Sequence, residues 1–108
     1  MKEVEAEDVL AAMLALFADG ENWTRGTAAR DQQGRAVDEM DPHARSFCLL
    51  GARDRLWRET GFGSELMYEI EHRLQRATGE ASIPFFNDCA PNFGVVRAAI
   101  LAAMQDGK

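Results

Sequence analysis

Cys48 is the residue whose chemistry would be most useful to an enzyme, because a thiolate is a strong nucleophile. A catalytic thiol needs a base that takes its proton, and the chain offers His43 and His72 for that role. The run Phe47-Cys-Leu-Leu50, however, is entirely apolar, and a thiol buried in such a run has a raised pKa and is inert. The sequence therefore favours core packing for Cys48 and leaves catalysis as a weaker alternative.

Asn87 and Asp88 form the second candidate, at the end of a loop that contains Pro84 and two phenylalanines. In a functional interpretation, Asp88 is a carboxylate at the edge of a pocket, and both residues are candidates for binding. In the commoner structural interpretation, both side chains accept backbone N–H groups and shape the turn into the last helix. We expect one of Phe85 and Phe86 to be in the core and the other to be partly exposed.

The sequence contains no motif for metal or cofactor chemistry. Zinc needs three or four ligands at workable spacing, whereas the two cysteines and two histidines are scattered singly. The glycine-rich phosphate loops and the Gly-x-Ser-x-Gly elbow are absent from the sequence, and Gly61-Phe-Gly63 is too short to replace them. We therefore predict neither a metal nor a cofactor, and we expect the protein to be non-enzymatic rather than an enzyme.

The charge is acidic and unevenly distributed. Twelve Lys and Arg residues against eighteen Asp and Glu residues give a net charge of −6, which argues against direct binding to nucleic acid or to anionic membranes. Residues 1–22 alone carry a net charge of about −5, because Lys2 is their only cation. The acidic residues of this segment are the predicted binding residues for a basic protein partner: Glu3, Glu5, Glu7, Asp8, Asp19 and Glu21.

The length of 108 residues predicts one globular domain spanning residues 1–108. The sequence has no apolar segment of the length that a membrane span needs and no signal-peptide pattern. With only two cysteines, both expected to be reduced, we predict a cytoplasmic protein.

Apolar periodicity and capping residues predict a mainly α fold, a four-helix compact domain with a short β-hairpin inserted between helices 1 and 2. The hairpin is predicted within residues 23–38, with its turn at Gly34 and with Trp23 and Val37 as its contacts to the helices. Residues 82–91 contain two prolines and are predicted to be non-helical. The four helices are predicted from Glu5 to Ala18, from Asp41-Pro42 to about Glu59, from Glu65 to Ala77 after a Ser64 cap, and from Phe93 to Met104 after an Asn92 cap.

Several of these features resemble a known family. A tryptophan after the first helix, the glycine-turn hairpin, Arg45-Ser-Phe-Cys48-Leu-Leu-Gly51-Ala52 and the later Ile83-Pro84-x-x-Asn87-Asp88 together resemble small proteins of unknown function from actinobacteria, proteobacteria and their phages. The resemblance extends over about residues 10–103. It implies no activity, but it does imply a phage or mobile-element setting, in which small proteins often block host defence systems.

We therefore predict a non-enzymatic protein-binding module, such as a phage- or prophage-encoded inhibitor of a host nucleic-acid or defence machine that acts through its acidic surface. One alternative is a small thiol-dependent enzyme or ligand-binding protein that uses Cys48 with His43 or His72 and Asp88. A second alternative is a homo-oligomeric structural module, most simply a homodimer. In that case two copies pair through surplus apolar residues: Leu49, Leu50, Trp57 and Phe62.

Overall fold

The computed structural model describes residues 4–106, and within them the chain forms five α-helices and three short β-strands. The helices are α1 (Ala6–Phe17), α2 (Leu49–Thr60), α3 (Ser64–Thr78), α4 (Ile83–Cys89) and α5 (Phe93–Gln105). The strands are β1 (Ala29–Arg30), β2 (Ala36–Val37) and β3 (Ser46–Phe47). The prediction of a mainly α fold is confirmed, but the helices number five rather than four.

Helix α1 follows from its sequence pattern. Leu10, Met13 and Phe17 recur at helical spacing and are fully buried. At the N-terminus Glu5 and Asp8 form a capping box, in which the Asp8 carboxylate accepts the Glu5 N–H at 2.9 Å. The helix ends at Phe17, and its C-cap Ala18, with a left-handed backbone (φ 48°), starts a short 3-10 turn. The predicted first helix is therefore confirmed.

The hairpin is shorter than predicted and belongs to a larger sheet. Strands β1 and β2 pair antiparallel around the turn at Gly34, which adopts the expected left-handed conformation. Strand β3 pairs antiparallel with the other edge of β1, so that Ala29 lies between Val37 and Phe47. The small sheet thus has the order β2-β1-β3, and the prediction of a two-stranded hairpin between helices 1 and 2 is only partly correct.

The prediction that the second helix begins at Asp41-Pro42 is wrong. The Asp41 carboxylate accepts the His43 N–H at 2.7 Å and closes a local turn there instead of a helix. The chain then pairs with β1, where the Arg45 N–H donates to the Arg30 carbonyl at 2.7 Å. Helix α2 starts only at Leu49, with Cys48 as its N-cap, because pairing with a strand distant in sequence overrides the local helical pattern.

The prediction that residues 82–91 are non-helical is also wrong. The Ser82 hydroxyl accepts the Phe85 N–H at 3.2 Å and starts helix α4. Pro84 lies in the first turn, where the N–H that proline lacks has no partner within the helix. Phe85 is exposed and Phe86 is partly buried against the core, so the expectation that one of the two lies in the core is met only in part.

The core is formed where α1 packs against α2, α3 and α5. Leu49 and Phe62 are buried inside this core, whereas Leu50 and Trp57 retain exposed surface. Of the four apolar residues considered for pairing two copies, two are therefore occupied within the monomer. Between residues 4 and 106, the helices are too short or too polar to cross a membrane.

Candidate functional site

Asn87 joins three segments of the chain that are far apart in sequence. Its side chain is fully buried, and its Oδ1 accepts the Trp23 indole N–H at 2.7 Å and the Leu49 backbone N–H at 3.0 Å. Its Nδ2 donates to the Thr24 carbonyl at 3.0 Å and to the Asp88 carboxylate at 3.2 Å. One amide thereby holds the chain after α1, the start of α2 and helix α4 together.

Neither sequence interpretation of Asn87 describes this arrangement. Asn87 does not shape the turn into the last helix; it lies within α4 and satisfies groups more than 35 residues away. Its partners Trp23 and Thr24 could not be inferred locally, because no short-range motif indicates a hydrogen bond across 63 or 64 residues.

Asp88 lies beside Asn87 but at the surface. Its Oδ1 accepts the Gly26 N–H at 2.9 Å and so anchors the exposed loop that precedes β1. The same loop is held a second time by Arg25, which donates to the Ala90 carbonyl at 3.0 Å and stacks over the Trp23 ring. Asp88 therefore fixes a loop position in the folded chain.

Cys48 is buried, as the sequence favoured. It lies at the start of α2, however, whereas the predicted second helix placed it in the middle of a helix. Its Sγ accepts the Gly51 N–H at 3.3 Å. Burial raises the pKa of the Cys48 thiol, and the negative charges of Asp88 and Asp54 raise it further, against the lowering effect of the Gly51 and Leu50 N–H groups. The thiol is therefore protonated at neutral pH and is a weak nucleophile.

Gly51 explains how the start of α2 lies so close to the sheet. The Cys48 N–H donates to the Ala28 carbonyl at 3.0 Å. A Cβ atom at position 51 would lie 2.1 Å from that carbonyl oxygen. The group that approaches Gly51 is thus a backbone carbonyl and not the side chain of another helix.

A small cavity of about 160 Å³ opens beside this junction, and Cys48 and Asp88 both line it. The remaining lining comes from residues 26–28, Leu50 and Pro84. Ligand pockets are usually about 300–1,000 Å³, so this cavity is small for a substrate. The structure thus brings together Cys48, Asn87 and Asp88 from the sequence-based candidates.

The two histidines lie elsewhere. His43 lines a pocket beside the hairpin turn, whereas His72 lies on α3 and stacks against Tyr68 with 6.4 Å between ring centroids. Neither histidine lines the Cys48 cavity, so the structure does not place either imidazole beside the thiol as the enzyme hypothesis would have it. Among residues 4–106, no group of three or more His, Cys, Asp or Glu side chains is arranged to hold a metal ion.

The acidic residues of the first segment divide into two groups, and Glu3 lies outside the described residues. Glu5 and Asp8 cap α1, and Glu7 binds Arg73 of α3 at 3.0 Å, so these three carboxylates take part in folding. Asp19 and Glu21 are exposed in the turn that follows α1.

Arg73 links α1 to α3 and α5. Its side chain is 10% exposed and donates to Glu7, to Glu69 at 2.6 Å and to the Ala103 carbonyl at 3.3 Å. Burial by itself would lower the pKa of Arg73, but hydrogen bonds to the two carboxylates outweigh it and raise that pKa. The guanidinium therefore stays charged between the helices.

A second acidic segment, which the sequence reasoning missed, adjoins the first. Residues 59–72 contain four glutamates and no Arg or Lys, and this absence of cations was the available signal. Because α1 packs against α3 and Glu7 shares Arg73 with Glu69, the two acidic segments meet on one side of the molecule. Tyr68, 63% exposed, lies on the outer side of α3 within this region.

The molecule is therefore a small helical protein with a three-stranded sheet, in which the side chains of Asn87 and Asp88 join segments that are distant in sequence. The chain belongs to DUF6197, a family of unknown function, which it matches over residues 1–106. No curated protein and no solved structure matches it.

Proposed function

We propose that this protein is a non-enzymatic binding module whose acidic face docks onto a basic segment of a protein partner. The acidic face is defined here as Glu7 of α1 together with Glu65, Tyr68 and Glu69 of α3. The observation that carries the proposal is the exposed Tyr68, surrounded by glutamates in a stretch of 14 residues, 59–72, without a single Arg or Lys.

The electrostatics of this face favour a cationic partner. Arg73 is the cation nearest to Glu7 and Glu69 in the ion-pair network, and its charge is already shared between these two carboxylates. Glu65 lies one turn before Glu69 on α3, is exposed, and forms no ion pair within residues 4–106. A partner therefore meets net negative potential here, which steers association with a basic surface.

Aromatic side chains add the contacts that carry affinity. Tyr and Trp are enriched at interface hot spots, and an arginine of the partner can stack on such a ring. Trp57 on α2 is a second aromatic residue with substantial exposure, 40%, and Arg53 of the same helix forms an ion pair with Glu71 of α3 at 3.4 Å. The face thus combines charge with exposed aromatic area.

We further propose that the partner is a nucleic-acid-binding protein and that docking inhibits it. Carboxylates on a helix pair can occupy a groove whose arginines and lysines otherwise bind phosphates, so protein and nucleic acid would compete. The phage or mobile-element setting implied by the resemblance supports an inhibitor of a host defence or nucleic-acid machine.

The test compares capture by variants that leave the fold intact. Reversing Glu5, Glu7 or Asp8 would disturb the α1 cap or the Arg73 network, so the informative double variant is Glu65→Lys with Tyr68→Ala. The matched control is Glu80→Lys, which reverses an exposed carboxylate outside the face. Tagged proteins are incubated with nuclease-treated lysate of the native host, and retained proteins are identified by mass spectrometry.

We expect a basic partner that the unmodified protein and Glu80→Lys retain, that the double variant loses, and that DNA displaces. Retention should weaken between about 50 mM and about 300 mM salt, because exposed charges are screened over that range. If the double variant retains the same proteins as the control, the acidic face is not the binding surface. Light scattering on the purified chain detects self-association, the competing homo-oligomer hypothesis.

A further inference from the structure

A larger pocket lies on the sheet side of the molecule, apart from the acidic face. It has a volume of about 470 Å³ and lies between the hairpin turn 31–35 with Val37 and the loop 41–45. This volume falls within the usual range for small-molecule sites, about 300–1,000 Å³. The pocket is independent of the function proposed above.

Hydrogen bonds within the chain fix the backbone of both walls of the pocket. In the hairpin turn, the Asp31 carboxylate accepts the N–H groups of Gln33 and Arg35, each at 2.9 Å, and the Arg35 Nε at 3.1 Å. In the facing loop, Asp41 accepts the His43 N–H at 2.7 Å, and the Arg45 N–H donates to the Arg30 carbonyl at 2.7 Å. A ligand would therefore bind with little cost in backbone ordering.

Two carboxylates, Asp31 and Asp41, and two arginines, Arg35 and Arg45, line the pocket. Asp31 is paired with Arg35 and its side chain is only 9% exposed, while the Asp41 carboxylate lies 3.3 Å from the His43 Nδ1. Arg45 is exposed, and its guanidinium has no ion pair or hydrogen bond with the residues that the structure describes.

The part of the chain that surrounds the pocket carries a net positive charge. Residues 23–58 contain seven arginines against four aspartates and one glutamate, a net charge of +2 in a protein whose total is −6. An anion approaching this side therefore avoids the repulsion of the acidic face. A guanidinium binds phosphate or carboxylate through paired N–H donors, which Arg45 has free.

We infer that this pocket binds a small molecule with a phosphate or carboxylate group. Arg45 receives the oxyanion, and the rest of the ligand lies along the apolar wall formed by Val37 and Pro42. The side-chain amides of Gln32 and Gln33 line the same pocket and can hydrogen-bond a polar part of the ligand.

Two probes test the inference and separate the two chemistries. Phenyl phosphate and benzoate carry different oxyanions on the same ring, and each is titrated into the ¹⁵N-labelled full chain. The Arg45 Nε–H and the amide signals of residues 31–45 report on binding. The variant is Arg45→Gln, with Arg45→Lys as a charge-retaining second variant. The matched control is Arg97→Gln, an exposed arginine on α5 that also lacks an ion pair with the described residues.

We expect saturable shifts confined to residues 31–45 with at least one probe. Arg45→Gln should weaken binding by about tenfold, the usual effect of losing one charge-assisted hydrogen bond, whereas Arg97→Gln should leave the Kd unchanged. Arg45→Lys should fall between them, because lysine keeps the charge but loses the paired donors. The probe that binds more tightly identifies the oxyanion.

Equal affinity of Arg45→Gln and the unmodified protein would overturn the inference, provided that both proteins unfold at the same temperature. It is equally overturned if neither probe gives saturable shifts below about 10 mM, since weaker binding does not define a specific site.

Discussion

Arg73 and Asp31 are almost equally hidden from water, with 10% and 9% of their side chains exposed, but their surroundings are opposite. Arg73 lies between helices, and its partners Glu7 and Glu69 reach the surface. Asp31 lies in the hairpin turn, and its partner Arg35 is 74% exposed. The helical side thus hides a cation and presents carboxylates, whereas the sheet side hides an anion and presents guanidinium groups.

This contrast shows how one chain carries two surfaces of opposite sign. In each pair the buried group satisfies backbone or interhelical hydrogen bonds, and the exposed partner sets the local potential. The net charge of −6 conceals this division, because residues 23–58 are positive while residues 4–22 contain five acidic residues and no cation. The two proposed sites, one for a basic protein and one for a small anion, lie on these two sides.

The largest loss of folding stability should come from replacing Asn87, which holds the chain after α1, the start of α2 and helix α4 together. Asn87→Leu removes four hydrogen bonds and leaves the Trp23 indole N–H, the Leu49 N–H and the Thr24 carbonyl without their partner. Unsatisfied buried groups cost about 1–3 kcal/mol each, so we expect a loss of at least about 3 kcal/mol in urea unfolding. Asn92→Ala, which removes an exposed N-cap, is the control and should cost about 1 kcal/mol. Similar losses of unfolding free energy for both variants would show that Asn87 does not hold the three segments together.

Truncating Arg73 or Arg35 tests whether the two ion pairs contribute differently to folding stability. Arg73→Met leaves two carboxylates and the Ala103 carbonyl without their buried donor, and we expect about 2 kcal/mol of destabilisation. Arg35→Met removes an exposed side chain and should cost less than about 1 kcal/mol. Equal losses in chemical unfolding would mean that the two pairs do not differ in the way described here.

The contact between α2 and the sheet can be tested with a single methyl group. Gly51→Ala places a Cβ at 2.1 Å from the Ala28 carbonyl oxygen, so the helix must shift, at a cost of about 2 kcal/mol. Gly63→Ala is the matched change at a position with open space and an ordinary φ of −72°, where a loss below about 1 kcal/mol is expected. Differential scanning calorimetry of both variants measures the difference, and an unaffected Gly51→Ala variant would refute the close packing.

The pH dependence of folding stability tests the contribution of Asp31 on the sheet side. The Arg35 backbone N–H lowers the pKa of Asp31 most, and the Arg35 side chain and the Gln33 N–H lower it further, against burial. Because the folded pKa lies below the unfolded value of about 3.9, the stabilisation by Asp31 is present above that pH and is lost as the pH falls through the folded pKa. In Asp31→Asn, stability should therefore decrease less steeply on acidification below about pH 4. An unchanged slope would show that Asp31 does not contribute.

The smallest expected effect is a difference in reactivity between the two thiols. Its measurement tests the thiol-enzyme alternative. Cys89 is exposed, whereas burial raises the pKa of Cys48, so iodoacetamide at neutral pH should label Cys89 at least about ten times faster. Cys89→Ser, followed by mass spectrometry, isolates the slow reaction. Rapid labelling of Cys48 in the native Cys89→Ser protein would contradict the packing role and revive the thiol-enzyme hypothesis.

Local patterns in the sequence were sufficient for much of the helical framework. Leu10, Met13 and Phe17 predicted α1 and its buried side, and Gly34 predicted the hairpin turn. Helix α4 was missed because the two prolines argued against a helix, although proline is acceptable in a first turn, and here Ser82 caps the helix. Strand β3 was missed because Phe47 lies in an apolar run that suits a strand or a helix equally well.

The candidate sites were less predictable than the helices. The sequence indicated the acidity of the first segment, but not that Glu7 pairs internally with Arg73 or that residues 59–72 extend the same face. It also suggested that Cys48 and Asp88 belong together, and the structure does place both beside one cavity, but without a histidine.

The sequence alone determined that this protein is mainly helical, acidic at its N-terminal segment and without a recognised catalytic motif, since periodicity, capping and charge are properties of neighbouring residues. Only the tertiary structure decided that Asn87 joins three segments, that Arg73 lies buried between carboxylates, and that Arg45 faces a pocket without an ion pair among the described residues. These outcomes depend on contacts across tens of residues, which hydrogen-bond satisfaction and burial select only when the whole chain is packed.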